Sequence, residues 1–208
     1  MVRSPALSSQ DTMATVNERE IKLPVEQVAA IRRRLRGLGY KSEGGRLFER
    51  NLLFDTPEQS LRRSSQLLRL RSKGSRWWLT FKARPQTEER HKVRLELEVE
   101  MRDGARLMEI LHRLGFEAVF EYQKYRTEFR RPGSRGEALL DETPIGNFLE
   151  LEGPPGWIDR MARALGYRQE DYILVSYGAL YLAWSSERGI APTHMTFPAK
   201  KSLRTIRR

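Results

Sequence analysis

The stretch from Lys92 to Glu100 reads KVRLELEVE, and charged and apolar side chains alternate along it without a break. Successive side chains of a β-strand point to opposite faces, so this stretch predicts a strand with one charged and one apolar face. Its charged face carries both signs, because Arg94 is followed by Glu96 and Glu98. One face of a sheet is therefore predicted to present carboxylates beside a guanidinium group.

The same alternation returns along most of the chain. Strands are predicted at 18–23, 47–54, 67–71, 77–82, 92–100, 122–129, 138–141 and 148–152. Helices are predicted at 25–38, 104–114, 157–165 and 175–184 from apolar spacings such as Leu107, Ile110, Leu111 and Leu114. Runs of strands joined by short turns favour antiparallel pairing, so the fold class is α+β with about eight antiparallel strands.

Charges of both signs occupy one face of at least six of these strands. The basic members are Arg69, Arg71, Lys82, Arg94, Lys124 and Arg126, and the acidic members are Glu18, Glu20, Glu96, Glu98, Glu150 and Glu152. For any single strand, an open sheet with one solvated face explains the pattern. The whole set fits a closed barrel better, because about eight strands enclose an interior that holds one small ligand.

Such a charged interior suits a metal–polyphosphate complex. Carboxylates are the oxygen ligands that Mg²⁺ and Mn²⁺ prefer, and Arg and Lys side chains bind phosphate oxygens. Neither GxxxxGK[ST] nor GxGxxG precedes a predicted helix, so side chains rather than a glycine-rich loop must hold the phosphates.

Composition excludes several other classes. The 208 residues include 38 Lys and Arg, 27 Asp and Glu, three His and no Cys, for a net charge of +11. The lack of cysteine excludes disulfides, a thiol nucleophile and Cys-ligated metals, and three histidines exclude a His-rich metal site. No apolar run reaches the ~18 residues of a membrane span and no signal peptide is evident, so a cytoplasmic protein without a membrane partner is expected.

Five of the excess positive charges lie in the last twenty residues. These are Lys200, Lys201, Arg204, Arg207 and Arg208. We therefore divide the chain into a disordered tail at 1–14, a domain at 15–188 and a basic segment at 189–208. Nucleic acid is kept as a partner but is not favoured, because the body's basic residues alternate with glutamates instead of forming a separate patch.

The segment Glu18-Arg19-Glu20-Ile21-Lys22 resembles the ExExK signature of the CYTH domain family, also called the triphosphate tunnel metalloenzymes. That family includes class IV adenylyl cyclases and thiamine triphosphatases. Further motifs follow in the same order: LFDT at 53–56, LRLR at 68–71, LTFK at 79–82, RLELE at 94–98, KYR at 124–126, LD at 140–141 and GNFLELE at 146–152. The resemblance covers roughly residues 16 to 184.

The resemblance implies an eight-stranded antiparallel β-barrel that holds a triphosphate and divalent Mg²⁺ or Mn²⁺ inside a charged lumen. It assigns metal binding to Glu18, Glu20, Glu150 and Glu152, with contributions from Asp141, Glu96 and Glu98. It assigns triphosphate binding to Lys22, Arg69, Arg71, Lys82, Arg94, Lys124 and Arg126. The catalytic set is Glu18, Glu20, Lys22, Glu150 and Glu152, and Lys200 or Lys201 is the expected basic residue over the tunnel mouth.

Three functions follow as hypotheses. The leading one is metal-dependent hydrolysis of inorganic triphosphate, thiamine triphosphate or a nucleoside triphosphate. The alternative is a class IV adenylyl cyclase that converts ATP to cyclic AMP and pyrophosphate, and the third is a noncatalytic polyphosphate- or RNA-binding module. A homodimer is kept as one candidate oligomeric state. Outside the site, Trp77 is expected to pack in the core and His91 to be exposed.

Overall fold

The computed structural model describes residues 16–88 and 91–198, in which nine strands form one antiparallel sheet. The strands are β1 (Val16–Val25), β2 (Lys41–Asp55), β3 (Leu67–Lys73), β4 (Arg76–Lys82), β5 (Gln86–Glu88), β6 (His91–Met101), β7 (Glu117–Arg130), β8 (Glu137–Thr143) and β9 (Gly146–Glu152). The α-helices are α1 (Val28–Gly37), α2 (Ser60–Arg63), α3 (Gly104–Arg113), α4 (Pro155–Ala164) and α5 (Tyr177–Glu187).

Eight of the strands close into a barrel. Their order is β1-β9-β8-β7-β2-β3-β4-β6, and β6 pairs back with β1, for example at Glu18 and Arg94. The short β5 continues the edge of β4 and pairs with the start of β6. Every pairing between these strands is antiparallel, so the predicted eight-stranded antiparallel barrel with flanking helices is confirmed.

The alternation of the sequence separates the inside of the barrel from the outside. On β1, Glu18, Glu20 and Lys22 line the lumen, whereas Ile21 and Leu23 are fully buried in an apolar core. That core packs the outer faces of β1, β8 and β9 against α1 and α4. The apolar face of each strand thus provides the burial that stabilises the fold and leaves the charged face for the lumen.

A second core lies beneath α3, where the outer faces of β2, β3 and β4 meet the helix. Trp77 packs in it as predicted, and a Cβ atom at Gly104 would lie 2.1 Å from the Trp77 ring. Only glycine therefore permits this close approach between α3 and β4. A third, aromatic cluster contains Tyr122, Phe148 and Tyr177.

Three local predictions are wrong. β1 continues to Val25, which pairs with Asn147, so α1 begins at Val28 and not at residue 25. β2 begins at Lys41, because Gly44 and Gly45 at positive φ form a bulge between Glu43 and Arg46 that keeps the strand paired with β7. His91 is buried, not exposed, and it contacts Asp159 of α4.

The described part of the predicted basic segment packs against the barrel. Met195 is 1 % exposed, and its backbone bonds to Glu121 and Gln123 on β7. The predicted tail at 1–14 and the mouth residues Lys200 and Lys201 lie outside the described residues. None of the described helices is long and apolar enough to cross a membrane.

Candidate active site

The lumen encloses a cavity of about 320 Å³ that is lined by nine basic and eight acidic side chains. The sequence-predicted residues that line it are Glu18, Glu20, Lys22, Arg69, Arg71, Lys82, Arg94, Glu96, Glu98, Lys124, Arg126, Glu150 and Glu152. They converge from six of the eight barrel strands, because every second residue of a strand faces inward. Asp141 also belongs to the predicted set, but it lies behind the cavity and is completely buried.

Three carboxylates meet at the end of the barrel where β1 begins and β9 ends. We call Glu18, Glu20 and Glu152 the acidic cluster; each offers an oxygen, and these oxygens lie within 4.8 Å of one another. Glu20 and Glu152 are cross-strand partners, which fixes their proximity through the sheet register. Carboxylate oxygens at this spacing suit a hard divalent cation such as Mg²⁺ or Mn²⁺.

The electrostatics of the acidic cluster support this fit. Burial and a hydrogen bond with Glu96 raise the pKa of Glu18 to about 7. Burial and the neighbouring carboxylates Glu18 and Glu150 raise the pKa of Glu152 well above its ordinary value. Like charges held this close disfavour the ionised form, and a divalent cation between them would remove that penalty.

Lys22 joins the acidic cluster to Glu150. Its Nζ lies 3.2 Å from an oxygen of Glu20 and 3.1 Å from an oxygen of Glu150, and all three side chains are buried. Burial alone would raise the pKa of both carboxyls, but Lys22 and further cations lower the pKa of Glu20 and of Glu150 below the ordinary value. Lys92 contributes to this by donating to Glu20 over 2.5 Å. Glu20 and Glu150 are therefore ionised at neutral pH, whereas Glu18 and Glu152 hold a proton more tightly than an ordinary carboxyl group does.

Four cations form what we call the basic cluster: Arg69, Arg71, Lys124 and Arg126, on β3 and β7. Arg126 donates to both oxygens of Asp141, over 2.7 Å and 2.6 Å, and also to Glu150. Lys124 donates to the same Asp141 over 2.9 Å. On β3, Arg71 donates to Glu98 over 2.9 Å, and Arg69 lies 3.5 Å from both Glu96 and Glu98.

Asp141 serves as the counter-ion of β7 in this structure. Besides the two cations, it accepts a hydrogen bond of 2.7 Å from the hydroxyl of Tyr177, at the start of α5. Burial raises the pKa of Tyr177 well above its ordinary value, and the nearby Asp141 adds to this, so the phenol stays a donor. The predicted role of Asp141 as a metal ligand stays a prediction.

Two of the predicted phosphate-binding residues differ in their contacts. Lys82 lies among carboxylates, 2.8 Å from Glu18 and 2.6 Å from Glu96. Arg94 instead donates to backbone carbonyls, including that of Ser65 over 3.0 Å. Arg94 therefore ties the loop before β3 to the barrel, although its side chain also lines the cavity.

The sequence-predicted site leaves out several polar residues around the lumen. Lys92 and Tyr177 line the cavity, and Glu49 and Asn51 of β2 are completely buried behind it. The alternation of Glu49 and Asn51 with Phe48 and Leu52 carried the signal for the last two. The apolar residues of this strand predict the strand itself but do not indicate that its polar residues belong to the site.

The barrel encloses a lumen that combines cations with a cluster of carboxylates, and a lumen of this kind suits a polyanion accompanied by a divalent metal. A family model described as the CYTH domain matches residues 17–165, and the chain belongs to this family. It is 29% identical over 136 residues to a protein of Methanocaldococcus jannaschii named "Putative adenylate cyclase", covering 65% of this chain and 75% of that one.

Solved structures show the same fold. A protein from Pyrococcus horikoshii OT3 is 27% identical with a TM-score of 0.67, covering 78% of this chain and 98% of that one. A "putative adenylyl cyclase" from Hippeastrum, described as having a dominant triphosphatase activity, is 19% identical with a TM-score of 0.59. That match covers 84% of this chain and 97% of that chain.

Proposed function

We propose that this protein is a divalent-metal-dependent triphosphatase that cleaves a terminal phosphate from a substrate bound in the barrel. The observation that carries the proposal is the placement of the acidic cluster beside the basic cluster in one enclosed cavity. At about 320 Å³ the cavity lies near the lower end of ligand pockets, which span about 300–1,000 Å³. A compact, highly charged group such as a triphosphate suits a space of this size and lining.

The acidic cluster would hold Mg²⁺ or Mn²⁺, with Glu18, Glu20 and Glu152 as ligands. A bound divalent ion would supply charge neutralisation on phosphate oxygens and a more acidic water. The basic cluster and Lys22 bind and orient the phosphates through charge-assisted hydrogen bonds. Glu150 holds Lys22 and Arg126 in place from the opposite side, so these cations are positioned before the substrate arrives.

Lys82 connects the two clusters. It contacts Glu18 of the acidic cluster and Glu96, a partner of Arg69 in the basic cluster. When a triphosphate replaces some of these carboxylate contacts, the lysine can follow the phosphate oxygens without leaving the cavity. The binding of metal and phosphate would thereby be coupled through one side chain.

A second candidate is adenylyl cyclase activity, which the name of the Methanocaldococcus jannaschii relative favours. The same cations would bind the triphosphate of ATP, and the 3′-hydroxyl of its ribose would attack the α-phosphorus and release pyrophosphate. We place hydrolysis first because the Hippeastrum neighbour is described as having a dominant triphosphatase activity. The small cavity also holds the triphosphate more readily than a whole nucleotide.

The experiment compares three substrates with the purified full chain. Inorganic triphosphate, thiamine triphosphate and ATP are each incubated with Mg²⁺ or Mn²⁺, and orthophosphate, pyrophosphate and cyclic AMP are quantified. We expect metal-dependent orthophosphate release that EDTA abolishes. Cyclic AMP with stoichiometric pyrophosphate would select the cyclase instead, and no turnover of any substrate would overturn both.

A further inference from the structure

Strand β2 faces the lumen with two polar side chains that do not reach the cavity. Glu49 and Asn51 are both 0 % exposed, and neither is among the residues that line the cavity. Among residues 16–88 and 91–198, both oxygens of Glu49 and both polar side-chain atoms of Asn51 lack a hydrogen-bond partner. Buried polar groups are nearly always satisfied, so two adjacent exceptions call for a functional explanation.

The surroundings of Glu49 are cationic. Its Oε2 lies 3.7 Å from Nζ of Lys124, and Arg126, Arg71 and Arg69 are the other charges that act on it. Burial alone would raise its pKa, but these four cations lower it to about 2. Glu49 is therefore ionised at neutral pH and faces the whole basic cluster from behind.

This position does not suit a metal ligand, because a cation beside Glu49 would be repelled by four positive side chains. It does not suit a rigid positioning residue either, since such a residue makes directional hydrogen bonds and Glu49 makes none with the described part of the chain. The remaining property through which Glu49 can act on the site is its negative charge. A buried carboxylate without directional bonds acts on its neighbours through Coulomb interactions, which are strong where water is excluded.

We propose that Glu49 is an internal counter-charge that sets how tightly the basic cluster holds its anionic ligand. The inference rests on the proposed function, since it takes a phosphate chain as that ligand. In the free protein, Glu49 offsets the mutual repulsion of Lys124, Arg126, Arg69 and Arg71. In the complex, the same charge repels the bound phosphates, so the phosphate chain binds more weakly than it would to the four cations alone. Because binding is weaker, phosphate-bearing products can dissociate.

Asn51 contributes to the same charge balance. It faces the lumen two residues along β2, and its cross-strand neighbours are Arg71 on β3 and Tyr122 on β7. An asparagine there keeps the site polar without a second negative charge. The pair Glu49 and Asn51 therefore provides one carboxylate for four cations, and isosteric substitutions can change that number in either direction.

The test measures the binding of inorganic triphosphate by calorimetry, in EDTA so that no metal-dependent turnover occurs. We expect Glu49→Gln, which removes the charge but keeps the shape, to bind triphosphate about tenfold more tightly. We expect Asn51→Asp, which adds a charge beside Arg71, to bind it about tenfold more weakly. A merely structural role would weaken binding in both variants.

Matched controls make the same chemical changes outside the lumen. Glu109→Gln alters an exposed residue of α3 that pairs with Arg113, and Asn147→Asp alters a residue of β9 whose partner on β8 is Glu142. Both should bind triphosphate like the wild type. Weaker or unchanged binding by Glu49→Gln overturns the inference, and if that variant does not fold, unchanged or tighter binding by Asn51→Asp overturns it.

The counter-charge role of Glu49 and the proposed function can be disproved separately. If the wild type cleaves triphosphate with Mg²⁺ or Mn²⁺ but the two variants do not move in opposite directions, the counter-charge role is wrong and the proposed function stands. If the wild type neither binds triphosphate nor cleaves it with Mg²⁺ or Mn²⁺, the proposed function is wrong and the inference falls with it.

Discussion

The acidic cluster and the basic cluster occupy the same lumen, yet their charges are balanced in opposite ways. Each cation of the basic cluster has a carboxylate partner, such as Asp141 for Arg126 and Glu98 for Arg71. In the acidic cluster, Glu18 and Glu152 face other carboxylates, and their pKa values are raised accordingly. The basic cluster is therefore balanced within the protein, whereas Glu18 and Glu152 keep raised pKa values even though Lys82 lies 2.8 Å from Glu18.

This difference indicates how the lumen meets its ligands. Under the proposed function, a divalent ion at the acidic cluster would displace protons and relieve the repulsion between the carboxylates. A phosphate chain at the basic cluster must compete with carboxylates that already hold the cations. The affinity for phosphate would thus depend on the balance between the ion pairs that the cations form with phosphate and those that they already form with carboxylates. Glu49 is one of the carboxylates that oppose binding.

The largest expected effect comes from removing a charge from the acidic cluster. Glu20→Gln should lower metal-dependent turnover of triphosphate by about 10³-fold, because a neutral amide is a poor ligand for a hard divalent ion. Steady-state orthophosphate release measures the change. The control is Glu100→Gln, at an exposed carboxylate that pairs with Arg76 outside the cavity. Near-normal rates in Glu20→Gln would remove that residue from the metal site.

Breaking the internal balance of the basic cluster comes next. Arg126→Met should lower the free energy of unfolding by about 3–5 kcal/mol, because it leaves Asp141 buried beside a single cation. Chemical denaturation measures the loss. The double variant Arg126→Met with Asp141→Asn should recover part of it, since the unpaired charge is then gone. An additive double variant would contradict the pairing of these two residues.

The acidic cluster should also make stability depend on pH. Glu18 binds its proton more tightly in the folded state, where its pKa is about 7 against an ordinary 4.5, so the metal-free protein loses stability as pH rises through that window. We expect the free energy of unfolding to fall by about 2 kcal/mol between pH 5 and 8 in the wild type, and to fall less in Glu18→Gln. Thermal unfolding at each pH measures it, and Mn²⁺ at pH 8 should restore the wild type but not the variant. Identical pH profiles of the two proteins would contradict the crowding of carboxylates.

The smallest expected effect concerns the hydroxyl group of Tyr177. Tyr177→Phe removes one hydrogen bond to Asp141 but leaves both cations in place, so stability should fall by about 1–2 kcal/mol. The KM for triphosphate should change less than threefold, because the ring and the ion pairs remain. A loss of turnover comparable to that of Glu20→Gln would show that the phenol takes part in the reaction.

The sequence predicted the barrel well because its cause is local and repeated. The alternation in Lys92–Glu100 and in five further segments determines which side chains face inward, and the closed sheet brings them together. The partners of each charge depend on register instead. Nothing in the sequence shows that Asp141 is surrounded by Lys124, Arg126 and Tyr177, since these contacts join β7, β8 and α5.

Glu49 illustrates the same limit. Its inward position follows from the alternation of β2, but its burial behind the cavity depends on how β2 pairs with β3 and β7, which the sequence of β2 alone does not show. The start of β2 was misjudged for a related reason. Two glycines usually indicate a loop, but here they form a bulge that continues the pairing with β7.

The central claim is that the acidic cluster is a metal site, and counting bound Mn²⁺ tests it most directly. The metal-free protein is titrated at pH 8, and free Mn²⁺ is measured by electron paramagnetic resonance. We expect the wild type and Glu100→Gln to bind Mn²⁺ stoichiometrically, and Glu152→Gln to bind Mn²⁺ at least tenfold more weakly. Equal binding by the wild type and Glu152→Gln would contradict it.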